Sequence, residues 1–454
     1  MLSGKTVTLQ TLSDRLNSGS LTATQLTEAA LSRIKDPEGQ GSIVFTRVFA
    51  DSARAAAALS DQRRAAGKPL SAIDGLPISV KDLFDIQGLP TCAGSVVLAN
   101  AAAALEDALI VQRLKAAGAV IVGTTNMTEF AYSGLGLNPH HGTPLSPWDR
   151  KTKRIAGGSS SGAAVSVSDG MAAAAIGTDT GGSVRIPAAF CGLVGYKPTA
   201  SRIDMRGTLP LSSHLDSIGP IAKSVTDCAW LACVMAGEPI TEPSALSLQG
   251  LKLGVPNQLV LDAMDDVVSG TFAAACELLE QSGAHIVALE LPELLEIAGM
   301  NAAGGFTAAE AWAWHHELLG RRQAEYDPRV AVRIRRGETL DAVYVANLER
   351  ERRDWIARVE DKISGVDALV MPTVPVVPPA LEPLENDDEQ YAKINLLALR
   401  NPTVINFLDG CAVSLPCHAP GEAPVGLMLA GAGGQDRKIL AIALACEAAF
   451  ASHA

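Results

Sequence analysis

Three polar segments stand at the ends of apolar, strand-like runs, where side chains of α/β folds point into a crevice. They are LPISVKD around Lys81, GGSSSGAA around Ser159, and GTDTGGSVRIPAAFCG around Ser183. Taken singly, two of them have plain readings: a lysine after a strand is usually a solvated cap, and a glycine-serine run is usually a flexible connection. The third resists that treatment. Ser183 follows Thr180, Gly181 and Gly182 and precedes an apolar Val-x-Ile-Pro run, so several consecutive amides share one turn with a hydroxyl. Such a nest can hold an oxyanion.

A serine hydroxyl needs a base to become a nucleophile. The chain has eight histidines, among them His140, His141, His214, His315, His316 and His418, and none sits in a local carboxylate pattern that singles it out. A lysine replaces histidine if burial or a neighbouring charge brings it below its ordinary pKa of about 10.4. Lys81, directly after the apolar run LPISV, is the lysine whose local sequence best permits burial.

The elements that would position these residues follow from periodicity. Thr22 and Gln25 form a capping box before a helix with Leu26, Ala30 and Ile34 on one face, stopped by Pro37. A second helix is predicted over residues 52–67, then a buried strand from Leu76 to Val80, the helix DALIVQRLKAAG and the strand AVIVG. Strand LKLGV, a helix over residues 262–283 and strand AHIVALE repeat the alternation. Strand DALVMP, strand PVGLMLAG and helix DRKILAIALACEAAF close the chain. This is the strand, helix, strand order of a layered α/β fold. The charged helical stretch Glu338–Lys362 reads as part of a peripheral helical insertion over about 300–365, followed by a proline-rich surface loop.

With 454 residues, 48% apolar and 19% charged, the chain is that of an ordered globular protein. The net charge of −12 argues against nucleic acid or an anionic membrane as partner. The eight cysteines show no C-x-x-C pair and read as buried reduced thiols. There is neither an apolar leader segment nor a bilayer-length apolar run, so a cytoplasmic location is expected.

The stretch from Gly157 to Thr199 resembles the signature segment of the amidase signature family of serine amidohydrolases, and LPISVKD resembles that family's lysine motif. Ser183 falls 24 residues after Ser159, and HLDSIGP (His214–Pro220) follows in the family's order. The resemblance is dense over about 75–220. It implies one large domain over 1–454, built as a mixed central β-sheet wrapped by helices. It also implies an amidase that cleaves the C–N bond of a small carboxylic amide through an acyl-enzyme. Carried onto this chain, Ser183 would be the nucleophile, Ser159 a bridging serine with a cis peptide bond, and Lys81 the base. The amides of Thr180, Gly181, Gly182 and Ser183 would receive the oxyanion. No cofactor and no metal is implied. Ser161, Ala163 and Ala164 depart from the commonest form of the motif but remain small. Asp179 and Arg185 flank Ser183 and are expected to pair behind it.

Other readings compete. Gly158 to Gly162 also satisfies G-x-S-x-G, which would make Ser160 the nucleophile, but the preceding DRKTKRIA is charged where a buried strand is needed. His316 and Glu317 begin a zinc-protease helix, yet Gly320 replaces the second histidine. A rival of another class is the amidase subunit of a multi-subunit amidotransferase, which would share the triad. The partners expected are a small amide and, as a homodimer, a second copy of the chain. Met127 and Tyr132, in the segment Thr124–Gly136, are the candidates for an apolar substrate pocket, and FTAAEAWAWHHE (Phe306–Glu317) is a second candidate segment.

Overall fold

The computed structural model describes Leu2, Gly4 and residues 7–452; positions 1, 3, 5, 6, 453 and 454 lie outside it. Helices form where the sequence carries their signals. Thr22 and Gln25 exchange side-chain and backbone hydrogen bonds at the start of helix Ala23–Lys35, which buries Leu26, Ala30 and Ile34. The stretch expected at residues 52–67 is a helix over Ala50–Ala65, and that at 262–283 one over Asp266–Gln281. The terminal helix runs over Asp436–Ala451.

The eleven strands among the described residues join one sheet. From the first half come β1 (Phe45–Val48), β2 (Pro77–Lys81), β3 (Val120–Thr125), β4 (Ala174–Asp179), β5 (Val194–Lys197) and β6 (Ser217–Ala222). The second half supplies β7 (Lys252–Pro256), β8 (His285–Leu289), β9 (Ala368–Pro372), β10 (Cys411–Pro416) and β11 (Gly426–Gly431). Their spatial order is β1-β3-β2-β4-β6-β5-β10-β11-β9-β7-β8. The sheet is mixed: β2 runs parallel to β3 and β4, while β4 meets β6, and β5 meets β10, antiparallel. Fully buried β2, β3 and β4 carry near-continuous apolar runs, as strands covered by helices on both faces must.

This topology decides where chemistry can sit. Because β2 and β4 are parallel and β6 is antiparallel to β4, the last residues of the first two and the first residue of the third meet at one edge. Lys81, Asp179 and Ser217 are those residues. The stretch expected as a peripheral insertion is three helices, Gly305–Arg322, Pro328–Arg335 and Ala342–Ile363. They are packed into the body: Trp355 is fully buried, donates its indole N–H to the Glu293 carbonyl at 2.7 Å, and meets Phe407 edge-on.

Candidate active site

Lys81 ends β2 with its side chain fully buried. Nζ donates to Ser159 Oγ at 2.7 Å and to Thr178 Oγ1 at 2.9 Å. Burial pushes its pKa from 10.5 down to about 7, against the pull of the carboxylates of Asp216 and Asp179, which favour the ammonium. Around neutral pH a large fraction of this lysine is therefore a free amine, the form a base requires.

Ser159 lies in the loop before helix Ser161–Ser168, and the Gly158–Ser159 peptide bond is cis. Its carbonyl accepts the Thr128 amide at 3.1 Å, and the neighbouring Ser160 amide donates to the Ser183 carbonyl at 3.2 Å, which ties the two serine loops together. Ser160 does not have an elbow's setting: its hydroxyl donates to the Thr178 carbonyl at 3.4 Å, and among the described residues no strand runs directly into it.

Ser183 occupies the turn between β4 and helix Arg185–Phe190. Asp179 organises that turn. It accepts the amides of Gly182 at 2.8 Å and Val184 at 3.1 Å, and both prongs of the Arg185 guanidinium at 2.8 and 3.0 Å. Both side chains are fully buried, so this is no surface ion pair. Burial alone would raise the Asp179 carboxyl; Arg185, Lys197 and Asn406 override it and hold the group well below the usual carboxylate range. One expectation needs correction here. The Gly182 amide is occupied by Asp179, so it is not a free donor for an oxyanion, whereas the amides of Gly181 and Ser183 have no protein acceptor among the described residues. Among the described residues no hydrogen bond joins the Ser183 and Ser159 side chains; the two loops are tied through the Ser160 amide and the Ser183 carbonyl.

The pocket expectations divide. Met127 is fully buried in the main core beneath Gly94. Tyr132 is half-buried, and its carbonyl accepts Arg333 at 2.7 Å. The groups nearest the nucleophile turn come from a helix the sequence did not announce, Asp388–Phe407, where half-buried Leu399 and Thr403 stand over Gly181. A cavity of about 890 Å³ lined by Trp148, Cys191, Leu278, Pro424 and Phe450 lies elsewhere and includes none of Lys81, Ser159 and Ser183.

Several contributors were missed. Thr178 on Lys81, Asp216 on Thr180 and Asn406 on Asp179 are each buried partners of the expected residues. Asp216 alone carried a signal, as part of HLDSIGP. The histidines do meet carboxylates, but from distant segments: His140 Nε2 lies 3.0 Å from Glu129 and His214 Nδ1 2.8 Å from Glu310. The eight cysteines are all free, with Cys276 and Cys417 half-buried rather than fully enclosed. Among the described residues no group of histidine, cysteine and carboxylate side chains could hold a metal ion, and no helix is long and apolar enough to cross a membrane.

A family model described as Amidase matches residues 25–440. Among curated proteins, the chain is 37% identical over 400 residues to 2-amino-5-chloromuconic acid deaminase of Comamonas testosteroni, covering 87% of this chain and 86% of that protein. It is 35% identical over 451 residues to a glutamyl-tRNA(Gln) amidotransferase subunit of Chloroflexus aggregans, covering 92% and 91%. Among solved structures, one described as a crystal structure of amidase superposes with a TM-score of 0.86 at 32% identity, covering 97% of this chain and 99% of that one.

Proposed function

Because this chain belongs to the Amidase family, we propose that it hydrolyses a small linear carboxylic amide to the carboxylate and ammonia or an amine, through an acyl-enzyme on Ser183. The observation that carries the reading is a fully buried Lys81 whose Nζ lies 2.7 Å from Ser159 Oγ and whose pKa is lowered to about 7. A neutral Lys81 draws a proton from Ser159 as Ser159 takes one from Ser183, and the Ser183 oxygen bonds to the amide carbon. The carbonyl oxygen becomes an oxyanion received by the amides of Thr180, Gly181 and Ser183. Ser159 then passes the proton to the leaving nitrogen, the C–N bond breaks, and water enters by the same relay to release the acid. The free thiols fit a cytoplasmic location, and nothing in the relay needs a cofactor.

A second reading, an amidase subunit working within an amidotransferase, draws on the 35% identity to such a subunit over 92% of this chain. One experiment separates the two. The purified chain alone, with acetamide, benzamide, biuret and succinamate as probes, should release ammonia from at least one of them, and Ser183→Ala should lower kcat by about three orders of magnitude or more. Hydrolysis by Ser183→Ala at more than about a tenth of the wild-type rate sinks the nucleophile assignment. Turnover that appears only with added partner subunits favours the second reading.

A further inference from the structure

Asp179 is the obvious carboxylate of the site, but a second one lies as deep. Asp216 is only 6% exposed and stands immediately before β6, whose first residue pairs with Asp179 across the sheet. Its Oδ1 accepts the Thr180 hydroxyl at 2.5 Å, and its Oδ2 accepts the amides of Leu211 at 2.9 Å and Ser212 at 3.0 Å. Unlike Asp179, which Arg185 neutralises at contact, Asp216 has no ion-pair partner among the described residues. Burial pushes the Asp216 carboxyl from 3.8 up to about 6 against those neutral donors, so above that pH it carries an unpaired charge that acts on whatever cation lies nearby.

That cation is Lys81. Thr178 in β4 and Thr180 just past its end bond Lys81 Nζ and Asp216 respectively, which brings the amine and the carboxylate to the same end of the sheet. The other charged groups around Asp216 are accounted for. Asp179 at the end of β4 is covered by Arg185 and Lys197, Glu310 of helix Gly305–Arg322 is occupied by Ser212, Ser213 and His214, and Arg352 of helix Ala342–Ile363 is engaged by the carbonyls of His214, Asn406 and Phe407.

We propose that Asp216 is a positioning residue of the hydrolytic site: it anchors the Thr180 end of the nucleophile turn while Asp179 anchors the Gly182 end, and it supplies an uncompensated negative charge facing Lys81. The inference rests on the amidase reading above. Two consequences separate this role from mere packing. Removing the charge while keeping the shape leaves Lys81 easier to deprotonate, so the acid limb of activity moves to lower pH. Removing only the Thr180 hydroxyl loosens the turn; Asp216 keeps its place but loses a donor that holds it ionised, so this change is read in kcat well above pH 6.

The test compares wild type, D216N and T180V by kcat/KM against pH, on whichever of the four probe amides wild type turns over fastest. In parallel, the rate at which phenylmethanesulfonyl fluoride blocks Ser183, with loss of fluoride, is read by intact mass. D216N should shift the acid limb down by about one pH unit and lower kcat about tenfold. T180V should lower kcat about tenfold at about pH 9, where Lys81 is neutral and Asp216 ionised in both proteins. A wild-type limb in D216N, or wild-type kcat in T180V, overturns the proposal, and if D216N fails to fold, T180V decides it by the same criterion. If wild type neither hydrolyses an amide nor is blocked at Ser183, it is the amidase reading that fails.

Discussion

A primary amine is a base only after it loses its proton, and water normally prevents that below about pH 10. Lys81 escapes because its entire side chain is enclosed at the end of β2, where desolvation outweighs two nearby carboxylates. The activity should therefore rise with pH through an acid limb near 7, the value belonging to the coupled Lys81, Ser159 and Asp216 group rather than to one atom. Arginine stays protonated throughout this range, so Lys81→Arg should lose as much kcat as Lys81→Ala, about three orders of magnitude or more. A Lys81→Arg enzyme with substantial activity and the wild-type limb would show that the lysine merely anchors a substrate.

At the scale of elements, the nucleophile turn works because glycine permits its geometry. Gly182 has φ +121°, and a Cβ there would stand 2.5 Å from Cβ of Pro402 and 2.8 Å from Cδ1 of Ile186. Gly182→Ala should keep the fold, by circular dichroism, yet lower kcat at least about tenfold, because displacing the adjacent Ser183 by even a fraction of an ångström costs alignment. The same elements show what a sequence can and cannot reveal. Lys81, Ser159 and Ser183 were legible because each sits in a short, compositionally unusual string. Asn406 was not: it lies in a helix that contains Pro402 and follows a proline-rich loop, and its partner Asp179 is 227 positions away. Helix Val225–Ala236 was also missed, since residues such as Trp230, Leu231 and Met235 are buried all round and leave no amphipathic period. The strands SIGPIA and VGYK are short and carry glycine or proline, which blunts the usual strand signal.

For the molecule as a whole, the eleven-stranded sheet and its two faces of helices bury charge that does not serve the site. Glu447 of the terminal helix accepts the Val225 amide at 3.0 Å, and burial, aided by Asp227, pushes its pKa from 4.5 to about 7. The folded state then holds a proton that the unfolded state has released, so this group's contribution is full below pH 4.5 and is lost as pH rises through 7. Glu447→Gln should accordingly stabilise the protein at about pH 8 by about 1 kcal/mol and change little at about pH 4.5, read from urea unfolding at the two values. Sequence order adds a further constraint. Residues 75–220 contain Lys81, Ser159 and Ser183, but β5 faces an unpaired edge until β10 is made, and Arg185 lacks its Asn406 partner at 2.6 Å until helix Asp388–Phe407 exists. Contacts of such sequence separation are slow to form. On the ribosome, a nascent chain that already displays every expected catalytic side chain still lacks the back wall of its nucleophile turn. On the proposed reading, competence thus waits until helix Asp388–Phe407 has been made, and the timing is written into the order in which the elements are laid down.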